Sequence, residues 1–351
     1  MISIIIPVFN TSRFLSACLN SIIQQSHTDW EAILVDDGST DKSGDICDAF
    51  AKKDKRFKVL HKENEGVDKA RFDGIVLAKG DLLTFVDSDD TIEKDYLLVL
   101  YTSLVENNAD YAEVGFYRTL GPYKQKRAIP KEHQGLIEQP KLFNEYFVTF
   151  FGCHKLTASL WGKLFRRELF SKYVEGPSGL GMGEDYLILI QIFPYLNRIY
   201  LSDYIGYNYR FGGVTSNYMH SFYPNLKYLY AYKRKVMEKY NYNNERNRVA
   251  FYSVIEMVNI LRTEVIDRIY YGRNKEETIK FIAQEMKEDM WENLKYLPVP
   301  AEEFHRSDVK AIALKDAETY YSIMEEINNS QHWKRSIKCW VSKFFKKLHI
   351  L

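Results

Sequence analysis

The chain has 351 residues, of which 46% are hydrophobic and 27% are charged, and its formal net charge is +1. This is the composition of an ordinary globular protein with enough apolar material for a sizeable core. The near-neutral charge argues against nucleic acid as a partner. The four cysteines are scattered, without the spacing of a metal or redox site, which indicates a reducing compartment.

Apolar runs and helical patterns alternate through the first hundred residues. Continuous apolar stretches predict strands at residues 3–9, 30–39, 57–62 and 81–87. Patterns of period 3.6 predict helices at residues 12–26, 41–54 and 67–79. The first apolar run has no basic leader and is interrupted by Pro7, so we interpret it as a strand and not as a signal peptide. The alternation predicts a parallel sheet covered by helices, with ligand-binding residues at the carboxyl ends of its strands.

After residue 100 the regular alternation of strands and helices ends. Further strands are predicted at residues 110–120 and 198–211, and a glycine-rich loop leads into a helix at 186–193. From about residue 221 the pattern becomes mainly helical, and no uninterrupted apolar run reaches the roughly 18 residues that span a bilayer. The predicted domains are residues 1–220, 221–331 and 332–351.

Two acidic motifs follow predicted strands. In VDDGSTD, residues 35–41, the carboxylates can accept hydrogen bonds from a ring N–H, but a turn and helix cap is the favoured interpretation of this motif alone. In DSDD, residues 87–90, three carboxylates within four positions repel one another. Capping of a helix that starts at Thr91 explains one of the three carboxylates. Carboxylates at i and i+2 can hold Mg²⁺ or Mn²⁺, so the crowding favours a metal.

Five motifs together resemble those of the family 2 glycosyltransferases, which have the GT-A fold. They are SIIIPVFN, VDDGSTD, NEGVDKARFDGI, AKGDLLTFVDSDD and, further on, GED. The resemblance is close over residues 1–100 and loose to about 217. It implies an α/β fold: a nucleotide-diphospho-sugar transferase domain with a mostly parallel central sheet, followed by a helical C-terminal region.

The resemblance also implies which residues hold the nucleotide of a UDP-type sugar donor. By position, Pro7, Val8 and Asn10 would line the base and ribose. Asp37, with Asp36 beside it, would receive the uracil ring N–H.

The third and fourth motifs would hold the rest of the donor. Arg71 matches the family's N-x-G-x-x-x-A-R stretch and would lie near the base or diphosphate, although ARFDG replaces the usual ARN after it. Asp87 and Asp89 match the DXD pair, with Ser88 between them. Asp87 would face the ribose or donor sugar, and Asp89, together with Asp87, would coordinate a Mn²⁺ or Mg²⁺ cofactor that bridges the diphosphate.

Glu184 and Asp185 follow a run with three glycines and precede an apolar helix. Acidic residues are favoured at a helix N-terminus by its dipole, which is the structural alternative. The segment resembles the family's acidic ED motif, whose Asp is the general base of an inverting transfer. We therefore predict Asp185 as the base, with Glu184 as second choice.

Three further residues are predicted near the acceptor or diphosphate. Trp161 is predicted to stack on a sugar face, Lys163 to meet phosphate, and His220 to reach the diphosphate or the metal. The alternatives are a core tryptophan with a solvated basic face and a structural histidine.

The last twenty residues, 332–351, contain six cations and no acidic residue. On a helix, Trp333, Trp340 and Phe344 fall on one apolar face. This pattern predicts a helix lying on an anionic membrane surface, in preference to one in a partner-protein groove. The predicted location is cytoplasmic, peripheral on the inner face of the plasma membrane, with a homodimer left open.

The leading hypothesis is a metal-dependent inverting glycosyltransferase that acts on a glycan or lipid-linked acceptor in surface polysaccharide synthesis. Transfer of one sugar per encounter is expected, because the transmembrane helices and QxxRW sequence of the processive synthases are not found. The rival is a non-catalytic, membrane-associated scaffold that binds nucleotide sugars for other transferases. A nucleotidyltransferase and a dinucleotide dehydrogenase are disfavoured, because PVFNTSRF after the first strand contains no glycine.

Overall fold

The computed structural model describes residues 1–120, 123–147, 155–210, 222–239 and 246–331. The chain divides into two compact units. The first unit contains residues 1–144 and 157–216, and the second contains residues 145–156 and 217–351. The segment 145–156, which lies inside the predicted first domain, therefore groups with the second unit. The predicted tail, residues 332–351, lies outside the described residues.

One large sheet forms the centre of the first unit. Its described strands are β1 (Ile2–Val8), β2 (Trp30–Asp37), β3 (Phe57–Lys62), β4 (Leu82–Phe85), β5 (Thr91–Ile92), β6 (Tyr111–Leu120), β7 (Tyr123–Arg127), β8 (Gly135–Glu138), β9 (Lys163–Arg166) and β10 (Arg198–Arg210). Their order is β3-β2-β1-β4-β9-β6-β10-β5, with β7 on β6 and β8 on β10.

The directions of the strands follow from their pairing. Strand β1 is parallel to β2 and β4, and β2 is parallel to β3. Strand β9 is antiparallel to both β4 and β6, and β10 is parallel to β6. Strands β1 to β4, β6 and β10 therefore point the same way. The predicted mostly parallel sheet is confirmed, and the carboxyl ends of β1, β2 and β4 meet at one edge.

Helices pack against this sheet through apolar faces. They are α1 (Ser12–Ile23), α2 (Ser43–Lys53), α3 (Val67–Leu77), α4 (Tyr96–Glu106), α5 (Glu168–Tyr173) and α6 (Glu184–Ile192). Short helical turns lie at Lys131–His133, Leu142–Phe147 and Phe193–Tyr195. The three helices predicted before residue 80 are confirmed. The predicted helix start at Thr91 is wrong, because Thr91 and Ile92 pair with β10 and α4 begins at Tyr96.

The second unit is helical in its described part, as predicted for the C-terminal region. Its helices are α7 (Phe222–Lys239), α8 (Arg246–Tyr270), α9 (Lys275–Glu285) and α10 (Ser307–Ala313), with helical turns at Asp289–Tyr296 and Ala301–Glu303 and a last helix described from 317 to 331. Its core includes buried Met257, Leu261, Trp291 and Tyr320. Within the described ranges, no helix combines the length and hydropathy needed to cross a membrane.

Candidate functional site

The loops after β1 and β2 are tied together by Asn10. Its side-chain oxygen accepts hydrogen bonds from the backbone N–H of Thr40 at 2.8 Å and of Asp41 at 3.2 Å. Asn10 is exposed at this edge, whereas Pro7 and Val8 are buried in β1. The predicted base-lining role of the Val8 side chain is therefore corrected, because that side chain belongs to the core.

Asp36 and Asp37 are both buried at the end of β2 and already have partners. Asp36 accepts a hydrogen bond from the Ser39 N–H at 3.1 Å, and its other oxygen lies 2.8 Å from His61 Nδ1. The two oxygens of Asp37 accept hydrogen bonds from the backbone N–H groups of Glu65 at 3.0 Å and Gly66 at 2.8 Å. These contacts attach the start of α3 to the end of β2, so a uracil N–H would have to share the Asp37 carboxylate.

Arg71, on α3, connects the predicted donor side of the site to the predicted base. Its buried guanidinium contacts three carboxylates: Asp87 at 3.0 Å from Nη2, Asp185 at 2.7 Å from Nη1, and Glu184, which accepts a hydrogen bond from Nη1. Burial opposes its charge, but the charges of Asp185, Asp87 and Glu184 raise the pKa of Arg71 above its ordinary value. Arg71 is therefore a fixed cation between the DXD motif and the ED motif.

The turn after β4 is held by residues from β10. Buried Asp90 accepts hydrogen bonds from the Tyr207 hydroxyl at 2.8 Å and the Arg210 backbone N–H at 2.6 Å. The Tyr207 oxygen in turn accepts the Asp87 N–H at 3.1 Å, and Arg210 Nε donates to the Asp89 carbonyl at 2.8 Å. Asp90 therefore anchors this turn and does not cap a helix.

Ser88, predicted to contact the donor, is buried in the same turn. Its hydroxyl oxygen accepts a hydrogen bond from Thr11 Oγ1 at 3.0 Å, which links the turn to the loop after β1. The side chain of Ser88 therefore helps to hold two strand-end loops together.

Asp87, Asp89 and Asp90 lie close together in this turn, and burial together with their negative charges raises the pKa values of Asp89 and Asp90. Burial, and then the charge of Asp87, raise the pKa of Asp89 to about 6. Burial and the charges of Asp87 and Asp89 also raise the pKa of Asp90. A cation bound here would lower these pKa values again.

Asp185 lies at the start of α6, next to Arg71. Its Oδ2 accepts a hydrogen bond from the Leu160 N–H at 3.1 Å. Its Oδ1 is buried and accepts no hydrogen bond from the described residues, although it is close to Arg71. The pKa of Asp185 is raised to about 7 in total: burial is the largest cause, the charge of Arg71 opposes it, and the charges of Glu184 and Asp87 add to it. This carboxylate can therefore take up a proton near neutral pH.

The predicted acceptor residues have different outcomes. The Trp161 ring, partly exposed, is stacked on Tyr207 with ring centroids 4.6 Å apart, so a sugar contact stays a prediction. The prediction for Lys163 is corrected. Lys163 is fully buried, donates to the carbonyls of Thr157 and Ser159, and lies 3.4 Å from Glu113 on the neighbouring strand β6. His220 lies outside the described residues.

Comparison with known proteins identifies the domain that carries this site. Residues 3–174 match the model of glycosyl transferase family 2. This stretch, about half of the chain, is a glycosyltransferase family 2 domain. The matched range contains Arg71 and the DXD motif, whereas the ED motif lies beyond its end.

Relatives of this chain come from several bacteria. The chain is 32% identical to glycosyltransferase GlyA of Streptococcus pneumoniae over 231 residues, 63% of this chain and 33% of the relative. It is 30% identical to the cholesterol galactosyltransferase of Borreliella burgdorferi over 223 residues, 62% of each chain. The chain thus spans only a third of the first relative's length.

A solved structure has the same fold. The chain is similar to the crystal structure of S. aureus TarS 1-349 in complex with UDP-GlcNAc, with a TM-score of 0.65 and 21% identity. The superposition covers 94% of this chain and 92% of the TarS chain. At this identity the likeness concerns the fold, and it confirms the GT-A-like architecture predicted for this chain.

Sequence reasoning missed three residues around this family 2 site. Tyr207 and Arg210 hold the DXD turn from β10, and Asp68 on α3 accepts hydrogen bonds from the loop before the ED motif. Tyr207 and Arg210 gave no local signal, because their partners are distant in the chain. Asp68 did have a local signal, because it lies three positions before Arg71 on the same face of a predicted helix.

Proposed function

We propose that the chain is a metal-dependent inverting glycosyltransferase that moves a sugar from a nucleotide-diphosphate donor, a UDP-sugar, to a hydroxyl of a glycan or lipid-linked acceptor. The family 2 domain supports the reaction class. TarS, a protein of similar fold, has been solved with UDP-GlcNAc, which supports the choice of a UDP-sugar.

The observation that carries the proposal is the bridge made by Arg71 between Asp87 and Asp185. Its two terminal nitrogens lie 3.0 Å and 2.7 Å from these carboxylates. A transferase needs its base close to the donor sugar, on the face opposite the leaving group. A pure binding protein has no need of a carboxylate with a pKa near neutral beside the donor site.

The proposed reaction is a single displacement. The acceptor hydroxyl attacks the anomeric carbon, the bond from that carbon to the diphosphate oxygen breaks, and the diphosphate leaves with both bonding electrons. Asp185 takes the hydroxyl proton, while the Leu160 N–H at Oδ2 and Arg71 at Oδ1 hold its carboxylate in place. Arg71 keeps the base and Asp87 in fixed relation throughout.

A divalent cation fits the donor set beside Asp87 and Asp89. Among the described residues there is no group of three or more side chains that could hold a metal alone. Mg²⁺ and Mn²⁺ accept one or two carboxylates together with substrate phosphates and water, so Asp89 with Asp87 would suffice. Such a cation would neutralise charge on the leaving diphosphate.

The test is a hydrolysis screen of UDP-, GDP- and dTDP-sugars in the presence of Mn²⁺ or Mg²⁺, with water as acceptor. We expect slow release of free sugar from a UDP-sugar, and none when EDTA is added. Tight binding of UDP without turnover of any sugar nucleotide would instead favour the non-catalytic scaffold. Hydrolysis that EDTA does not change would remove the metal from the proposal.

The acceptor proposal includes the C-terminal tail, which lies outside the described residues. We infer from its six cations and interfacial tryptophans that it binds anionic membranes, where a lipid-linked acceptor for surface polysaccharide would be found. Each cation near such a surface contributes about 1 kcal/mol. Removal of residues 332–351 should release the protein from anionic vesicles in co-sedimentation but leave donor hydrolysis unchanged. Persistent sedimentation of the truncated chain would contradict the inference.

A further inference from the structure

The segment before the ED motif, residues 176–183, is rich in glycine, and Leu180 is its one buried residue. Gly176, Gly179 and Gly183 have φ angles of 114°, 73° and 91°, which favour glycine. A Cβ atom added at Gly176 or Gly179 would meet no atom within 4 Å, so neither position is packed against a neighbour. Because the chain is unpacked at Gly176 and Gly179, hydrogen bonds to a neighbouring element would help to place Asp185, two residues after this segment.

Asp68, in the first turn of α3, accepts such hydrogen bonds. Its side chain is buried, and its Oδ2 accepts hydrogen bonds from the Ser178 N–H at 2.5 Å, the Ser178 hydroxyl at 2.8 Å and the Gly179 N–H at 2.9 Å. Hydrogen bonds to an ionised acceptor are roughly twice as strong as neutral ones. One carboxylate oxygen therefore fixes the middle of the glycine-rich segment.

The same helix holds the far end of the segment. Arg71 lies three residues after Asp68, on the same face of α3, and pairs with Glu184 and Asp185. The start of α3 is itself attached to the end of β2 through Asp37. The base is thus connected to the sheet by α3, at one point through Arg71 and at another through Asp68.

We propose that Asp68 is a positioning residue for the reaction: it fixes residues 178–179 on α3 and so holds the loop that presents Asp185. This inference rests on the proposed function of Asp185 as base. The hydrogen bonds that the Asp68 side chain accepts in the described part of the chain come from Ser178 and Gly179 and not from the residues predicted to bind the sugar donor, so its loss should lower kcat and leave donor binding intact. Misplacement of a catalytic group by about 1 Å can reduce a rate about 100-fold, so even a small shift should be measurable.

The experiment compares Asp68→Ala, Asp68→Asn and Asp45→Ala in the full chain. Asp45 is exposed in the first turn of α2, so its removal matches the loss of an acidic residue at a helix N-terminus without any contact to the loop. The assays are hydrolysis of the sugar nucleotide that the wild type turns over fastest, UDP affinity, and amide hydrogen exchange of residues 176–183.

We expect Asp68→Ala to lower kcat about tenfold or more, with KM for the donor and UDP affinity within about twofold, and to accelerate exchange in 176–183. Asp68→Asn keeps an acceptor oxygen and should recover most of the rate, and Asp45→Ala should resemble the wild type. Wild-type kcat or unchanged exchange in Asp68→Ala would overturn the inference, as would an equal loss in Asp45→Ala. Asp185→Asn, assayed alongside, separates the two levels: if it keeps full activity, the proposed function fails, whatever Asp68 does.

Discussion

Two groups of aspartates lie at the same edge of the sheet, and their surroundings are opposite. The loop acids, Asp36, Asp37 and Asp41, have carboxylates that accept hydrogen bonds from backbone N–H groups. The site acids, which include Asp89 and Asp185, are half-buried, and loss of solvation together with neighbouring acids raises their pKa values to about 6 and about 7. The carboxylates that hold loops accept hydrogen bonds from backbone N–H groups, whereas the pKa values of the site acids are raised towards neutral pH.

The comparison separates two motifs that look alike as sequences. VDDGSTD and DSDD both place several acids after a buried strand, and the family resemblance assigns both to the donor. In the structure, the first motif mainly organises the starts of α1, α2 and α3, which agrees with a turn-and-cap interpretation. Substitutions in the two groups should therefore change different properties: stability for the loop acids, binding and rate for the site acids.

The largest effect is expected at the proposed base. Asp185→Asn should reduce transfer or donor hydrolysis by a factor of about 10² or more, because it removes the proton acceptor. UDP affinity should remain within about twofold of the wild type. Steady-state kinetics and calorimetry measure the two quantities. Glu184→Gln is the matched control one position away, and a loss at Glu184 that exceeds the loss at Asp185 would exchange their roles.

The next largest effect concerns the metal. Asp89→Asn should reduce the increase in UDP affinity that Mn²⁺ produces by at least about tenfold, since even outer-shell changes cost about 10- to 100-fold. Because burial raises the pKa of Asp89, replacement by a neutral amide should not lower the melting temperature. Calorimetry with and without Mn²⁺, together with thermal unfolding, tests both parts. An unchanged Mn²⁺ dependence would exclude Asp89 as a ligand.

The third largest effect is expected from a change of pH. The base acts when it is deprotonated, and the pKa of Asp185 is about 7, so kcat/KM should rise about tenfold between pH 6 and pH 8. An ordinary aspartate would already be ionised at pH 6. Glu184→Gln should move the midpoint to lower pH, because the charge of Glu184 raises the pKa of Asp185. A flat profile would show that Asp185 is not the group titrating in the free enzyme.

The part of the site that sequence reasoning reached is the part built from local pattern. Strands β1 to β4, the helices between them and the acids at their ends follow from periodicity and from residues adjacent in the chain. Contacts between distant residues did not follow. Two such contacts are the ion pair of Arg71 with Asp185 and the hydrogen bond from Tyr207 to Asp90. Both depend on how β9, β6 and β10 are placed in the sheet.

Lys163 shows that sequence reasoning can also predict an exposed functional residue where the structure has a buried one. Its neighbours in the sequence suggested an exposed basic face, but the register of β6 and β9 sets Lys163 opposite Glu113 in the interior. Burial lowers the pKa of Lys163, and the charge of Glu113 opposes that shift. A buried cation with a partner on another strand has no local signature, because the partner is recognisable only once the strands are paired.

The smallest expected effect is a stability change at a loop acid, Asp41. Its two oxygens accept hydrogen bonds from the Ser12 N–H at 3.1 Å and the Ser43 N–H at 2.8 Å, at the first residues of α1 and α2. Burial alone would raise the pKa of Asp41, but hydrogen bonds from Ser43 and Ser12 lower it to about 2. The ionised carboxylate is therefore favoured in the folded state over the unfolded state.

The sign of the effect follows from that shift. Since the folded pKa lies below the unfolded value, the stabilisation is fully present above about pH 4 and is lost as the pH falls towards 2. Asp41 is exposed, so solvent screening limits the effect of Asp41→Asn at pH 7 to about 1 kcal/mol. Urea unfolding at pH 7 and at pH 3 measures it, with the exposed Asp203→Asn on β10 as control. We expect the difference between the wild type and Asp41→Asn to shrink at pH 3; a difference that grows there would mean that the carboxylate is not what stabilises these two helix starts.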